Sequence, residues 1–429
     1  MPVTITSTDS NFEREPLKRP FGFKGGYMSE IWQTAVKLQS ENGNSKIGLG
    51  TQNVLWSDAQ VFANGSEAGG NALMYALTEY ALRIIKSQSF DTPVTLLDET
   101  LEDVLNYGKK ITKSELRKTF ALNALVAVDN AAWLLYAQEH GHTTFDDMIP
   151  PAYRDALSQH HERVASIPLM SYAIPVEEIK QAVQDGYFFM KIKIGQPGSQ
   201  AEMLEKDKAR LTEIHRAIGG MRTQHTADGT LPYYFDANGR YQSKETLLKL
   251  CDHAKKIGAF EQIAIIEEPF PEEYEVEVDD IPVRLAADES AHTDADAEKR
   301  IQMGYGAIAL KPIAKTLSMT LKIARLAHEH NVPCFCADLT VNPILVDWNK
   351  NVAARLASFP GLEQMGLLET NGHQNYKNWT TMQSYHPCYG ADWMTTTNGV
   401  FELNQDFYQQ SGGVFMDSPH YVDMFKRFQ

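Results

Sequence analysis

The stretch GYFFMKIKIG, Gly186 to Gly195, is a short apolar run carrying two lysines near its end, Lys191 and Lys193. Residues i and i+2 of a strand point the same way, so as a strand this run turns both lysines toward one cavity. Runs of the same kind recur along the chain. SIPLMSYAI (166–174) precedes it, and LPYYFDA (231–237), AIIEEP (264–269), VRLAADE (283–289), GAIALKP (306–312), VPCFCADL (332–339) and MGLLET (365–370) follow. Stretches with helical apolar spacing separate them, among them 203–218, 244–257, 294–304 and 320–331. Strands alternating with helices, close to the eight that closure needs, predict a (β/α)-barrel rather than an open sheet.

Such barrels keep their chemistry at the carboxyl ends of the strands. The notable polar residues sit there: Lys191 and Lys193, then Asp236, Glu267, Asp288 and Lys311, each late in an apolar run. Three carboxylates from consecutive strands offer hard oxygen ligands suited to Mg2+, with positions left for substrate oxygens. A proton beside a carboxylate is very weakly acidic, and charge neutralisation by a cation with a positioned amine makes its removal feasible. Each residue alone has an ordinary reading. Lys311 alone is a solvated flank, Asp236 before Ala-Asn-Gly a turn former, Glu267 an exposed strand end, and Asp288 or Glu289 a helix cap. Order and spacing together favour the functional reading.

Before about residue 150 the pattern differs. WQTAVKLQ (32–39) and SKIGLGTQNVLW (45–56) have strand-like content, whereas 69–87 and 114–140 have apolar residues at helical spacing. Strands followed by helices suggest an α+β domain over 1–150, with FDDMIPPAY (145–153) as its boundary and 151–394 as the barrel. The segment from about 395 to 429 is expected to return to the first domain.

The chain has 429 residues, 43% of them hydrophobic and 22% charged, as in an ordinary globular protein. A net charge of -15 leaves no electrostatic footprint for nucleic acid or an anionic membrane. No charged leader precedes an apolar core, and no stretch reads as long enough to span a bilayer, so a cytoplasmic setting is expected. Four scattered cysteines, Cys251, Cys334, Cys336 and Cys388, suggest buried thiols rather than disulfides or a zinc site. The expected partners are a small carboxylate-bearing substrate and other copies of this chain as a homo-oligomer.

Taken together, KIKIG, DANG, IEEP, ADES and the lysine of ALKP resemble the enolase superfamily, and within it the muconate lactonizing enzyme subgroup. The resemblance covers most of the chain and implies a (β/α)-barrel of modified TIM type under an N-terminal α+β capping domain. It makes Lys193 one acid/base and Lys311 the other on the opposite face, with Lys191 supporting the substrate carboxylate and lowering the pKa of Lys193. Asp236, Glu267 and Asp288 become ligands of Mg2+, with Mn2+ as a substitute, and Asn238 and Glu289 their supports, Glu289 retaining its alternative as a helix cap. Capping loops would set specificity: Arg19 or Lys24 for a second anionic group, and Phe21, Phe23, Met28 and Trp56 against water or as plain packing.

The chain also departs from the family. Dipeptide epimerases carry Asp-x-Asp on the eighth strand, where Glu369-Thr370-Asn371 stands here. The seventh strand offers Asp338 and Thr340 in place of a Glu-Ser pair and lacks the histidine base of the mandelate racemase branch. Asp338, Glu369 and Asn371 are accordingly candidate substrate-binding residues. The implied activity is an isomerase, a racemase or epimerase of an amino-acid or dipeptide-like substrate through an enediolate. A cycloisomerase or syn-elimination enzyme, or a sugar-acid dehydratase (a lyase) using His373 as acid, is the alternative. A non-catalytic binding barrel would have lost at least one of these lysines or carboxylates.

Overall fold

The computed structural model describes residues 2–23, 26–362 and 364–426. Its N-terminal part is an antiparallel sheet of β1 (Val3–Phe23), β2 (Gly26–Ser40), β3 (Ser45–Gln52) and β4 (Ser89–Phe90), in the order β3-β2-β1-β4. The long β1 was not foreseen, being polar and carrying Pro16 and Pro20. Its register against β2 slips between Pro16 and Phe21, where proline cannot donate to the ladder.

Helices Glu67–Ile85, Pro93–Thr112 and Lys118–His140 accompany this sheet. Glycines let the last of them sit almost on the backbone of β3: a Cβ at Gly48 would lie 2.1 Å from Ala131 N and 2.4 Å from Ala127 O. Contrary to the sequence expectation, Lys118–His140 is long and apolar enough to cross a membrane. Yet 94% of its apolar window is buried inside the protein, so it serves as the cap's core helix.

The second part is a barrel. Parallel strands follow as β5 (Arg163–Ile167), β6 (Leu169–Met170), β7 (Met190–Lys193), β8 (Tyr233–Asp236), β9 (Ile263–Glu267), β10 (Leu285–Ala287), β11 (Ala307–Leu310), β12 (Cys334–Cys336) and β13 (Gly366–Glu369). β5 and β6 are one barrel position divided at Pro168. β6 pairs with β7 while β5 pairs with β13, which closes eight strand positions into a ring. All eight expected runs become strands, the first starting earlier than read, at Arg163. Capped helices cross between them. Ser199 with Glu202 and Thr293 with Asp296 form capping boxes, so the cap of the helix after β10 is Thr293 and neither Asp288 nor Glu289.

The tail divides. A hairpin of β14 (Thr396–Thr397) and β15 (Val400–Glu402) adds antiparallel to β5, pairing Val400 with Ala165. Residues beyond it reach the cap, where Lys46 Nζ donates to Phe415 O at 3.2 Å and Asn11 Nδ2 to Met424 O at 3.0 Å.

Candidate active site

Lys193, Asp236, Glu267 and Glu369 are the last residues of their strands, and Asp288 and Lys311 are the first residues beyond theirs. In-register pairing of Lys193 with Asp236 and of Asp236 with Glu267 sets these side chains at one level. Counting round the ring, Lys193 stands on the second position and Lys311 on the sixth, half a turn apart. The three acids occupy the third, fourth and fifth, an arc between the two lysines.

Lys191 stands two residues before Lys193 on the same strand and is buried. Its ammonium donates to Glu267 Oε1 at 2.9 Å and Glu369 Oε2 at 3.1 Å, and lies 3.1 Å from Asp236 Oδ2. Burial disfavours its charge, but Asp236, Glu267, Glu369 and Asp288 outweigh that and hold its pKa well above the ordinary lysine value. Lys193 donates to the same Asp236 Oδ2 at 2.5 Å and to Asn238 Oδ1 at 2.6 Å. Lys311 donates to Asp288 Oδ2 at 2.5 Å, and its ammonium sits 4.4 Å from the ring centre of Trp56 in the cap.

The acids respond to these cations. Burial resists ionisation of Asp236, yet Lys191 and then Lys193 pull its carboxyl down to about 2. Asp288, facing Lys311 and Lys315, is held well below the usual carboxylate range despite burial. Glu267 goes the other way: burial pushes it up to about 8, Lys191 opposing and Asp288 reinforcing the rise. Across the chamber, burial and the repulsion of Glu369 push Asp338 up to about 7.

The tightest grouping of acids is not the set expected from sequence. Carboxylate oxygens of Glu267, Asp288 and Glu289 lie within 4.8 Å of one another, and Asp236 falls outside that group, joined to Glu267 through Lys191. Asn238 Nδ2 donates to Glu289 Oε1 at 3.0 Å, tying the two supporting candidates together. Asp236 also keeps its turn role, accepting Asn238 N through Oδ1 at 3.0 Å. Asn238, Glu268 and Thr340 hold φ of +45°, +39° and +58°, so three strand ends around the site carry left-handed backbone outside glycine.

A small chamber of about 40 Å3 is lined by Lys191, Lys193, Asp236, Asn238, Asp288, Glu289 and Lys311, and by Asp338, Glu369 and Asn371 from the far side. Phe21, Met28 and Trp56 of the cap also line it. Arg19 is exposed and does not line it. Lys24 and the side chain of Phe23 lie outside the described residues. His373 lines a separate cavity of about 230 Å3 behind the wall made by β5 and β13, and burial pushes its pKa down to about 4. Among the described residues no histidine lines the chamber, so His373 is not placed as an acid there.

Carboxylate oxygens of Asp236 and Glu267 are drawn around the Lys191 ammonium, and those of Glu267, Asp288 and Glu289 lie within 4.8 Å of one another. Hard oxygens of this kind, at 0–1% exposure, fit a divalent cation. Asp236, Glu267 and Asp288 would hold it, with Glu289 within reach. Sequence reasoning missed three residues here. Tyr234 OH donates to Glu267 Oε2, and Glu268 Oε2 receives Asp288 N at 2.8 Å. Lys315 lies under Asp288, donating to Asp288 O at 2.6 Å and Ala291 O at 3.0 Å and standing 3.3 Å from Asp288 Oδ1. The signal for it was the four-residue spacing from Lys311. Lys315→Met is expected to weaken Mg2+ affinity about 10- to 100-fold, as loss of a group orienting a ligand does. Mg2+-dependent shifts in melting temperature measure this, and unchanged affinity would reduce Lys315 to loop packing.

Residues 175–384 match the family model described as enolase C-terminal domain-like. No curated protein matches in sequence. Among solved structures, a mandelate racemase/muconate lactonizing protein from Herpetosiphon aurantiacus superposes with a TM-score of 0.65 at 17% identity, covering 94% of this chain and 97% of that one. A dipeptide epimerase from Enterococcus faecalis V583, complexed with Mg and L-Leu-L-Tyr, gives 0.63 at 17% identity over 94% and 97%. An N-succinyl Arg/Lys racemase from Bacillus cereus gives 0.63 at 15% over 94% and 93%. At these identities the likeness is one of fold.

Proposed function

We propose that this chain, whose residues 175–384 match the enolase C-terminal domain-like model, is an enolase-superfamily enzyme: a Mg2+-dependent racemase or epimerase acting on the carbon next to a carboxylate, in an amino-acid or dipeptide-like substrate. The observation that carries this reading is the half-turn separation of Lys193 and Lys311 with the acids in the arc between them. A carbon held over that arc has one amine on each face. Lys193 Nζ takes the α-proton from one side, and Lys311 Nζ returns a proton to the other. Asp236, Glu267 and Asp288 would hold the cation, which would supply positive charge where the substrate carboxylate gains negative charge. Lys191, between the ligand carboxylates and Glu369, orients the same carboxylate.

The cap completes the chamber. Trp56 covers Lys311, and Phe21 and Met28, paired across the β1–β2 hairpin, close the mouth against water. Deleting Gly22 to Tyr27 is expected to raise KM and lower kcat together, each by about tenfold or more. Steady-state kinetics on any substrate check this, and unchanged constants would assign the hairpin to packing.

Dipeptides, N-acyl amino acids and acid sugars, incubated in D2O with Mg2+, test the reading. Solvent deuterium at the α-carbon with inversion of configuration is the expected result. Exchange confined to one enantiomer would favour a one-base cycloisomerase or elimination enzyme, and no exchange in any class would remove the proposal.

A further inference from the structure

A second lobe adjoins the reaction chamber. This lobe, of about 140 Å3, shares Phe21, Leu169, Lys193 and Asn238 with the chamber and extends it past Tyr27, Tyr172 and Pro197 to Arg240. Its walls are largely apolar, and Arg240 is its far cation.

Arg240 is built in rather than draped over the surface. Its backbone N donates to Ala237 O at 3.1 Å, and its carbonyl accepts Gln200 Nε2 at 2.8 Å, which fixes it at the end of the DANG turn. Its stem crosses Gly195, where a Cβ would lie 2.6 Å from Arg240 Cβ and 2.9 Å from Cγ, and where φ is +79°. Only glycine leaves room for that crossing. Gly195 is itself pinned, its N donating to Asp207 Oδ2 at 2.7 Å, and Tyr172 OH donates to the neighbouring Ile194 O at 2.8 Å. The part-buried guanidinium has no ion pair and no hydrogen bond among the described residues. A rigid fork of five donors left open in a cavity that Lys193 also lines suits a carboxylate or phosphate.

We infer that Arg240 binds a second anionic group of the substrate, so that this enzyme takes dianionic acids: one carboxylate at the acidic arc, the other across a short apolar spacer at Arg240. The inference rests on the proposed reaction only for the word substrate. It reassigns to the barrel a task that the sequence pointed to in Arg19 or Lys24 of the cap.

The test uses binding, so it stands apart from turnover. Straight-chain α,ω-dicarboxylates of four to eight carbons and the monocarboxylates of equal length are titrated calorimetrically into the whole protein with Mg2+. One dicarboxylate is expected to bind about tenfold or more tightly than its monocarboxylate. Arg240→Met should bring that dicarboxylate down to the monocarboxylate's affinity, and Arg240→Lys should restore part of the gap. Equal affinities in the parent protein, or a gap that survives Arg240→Met in a variant with an unchanged circular dichroism spectrum, would overturn the inference. A dicarboxylate preference without α-proton exchange on any acid would instead sink the racemase reading and leave the Arg240 site standing.

Discussion

Glu267→Gln is expected to slow α-proton exchange by about a thousandfold while the protein stays folded. Glutamine keeps the shape of Glu267 and an oxygen to accept Tyr234 OH, and removes one negative charge from the centre of the acidic arc. The Lys191 ammonium, which pairs with Glu267, keeps Asp236 and Glu369 when that charge is removed, so no cation is left buried without a partner. Asp288→Asn is a poorer probe. Asp288 faces both Lys311 and Lys315, all of them buried, and removing its charge would destabilise the barrel by about 3–5 kcal/mol. Deuterium exchange with saturating Mg2+, beside a melting curve, measures the Glu267 effect. A variant retaining more than a tenth of the parent rate would exclude Glu267 from the cation site.

Replacing either opposed lysine by Met should lower net racemisation by about a thousandfold or more, the range for loss of a positioned acid/base. Folding should survive in both. Asp288 keeps Lys315 when Lys311 is gone, and Asp236 keeps Lys191 when Lys193 is gone, so neither acid is left buried without a countercharge. Polarimetry follows the loss. Persistence of racemisation in Lys311→Met would assign the chemistry to one base.

The barrel and the catalytic ends of its strands were legible because short apolar runs separated by helical stretches are a local signal, repeated eight times, and seven of the runs carry a charged residue late in their course. The cap's first strand was not, since Val3–Phe23 is polar and proline-bearing and becomes a strand only by pairing with β2. Composition likewise misjudged Lys118–His140, whose apolarity serves close packing on Gly48 and Gly50. Within the site, Lys193, Lys311 and the acids followed from strand position, whereas Glu289's place beside Glu267 and Asp288 depends on the loop after β10, which Glu268 ties down through Asp288 N. Arg240 had no signal at all. A single arginine after a turn is ordinary until its stem is seen crossing Gly195 and its guanidinium facing an apolar lobe.

The opposed placement of Lys193 and Lys311 is tested most directly by 1H NMR in D2O with Mg2+, following loss of the α-proton signal from each separated enantiomer of a substrate found by the screen. Lys311→Met should exchange one enantiomer only, through Lys193, and Lys193→Met the other only, through Lys311. Exchange of the same enantiomer by both variants would contradict the arrangement.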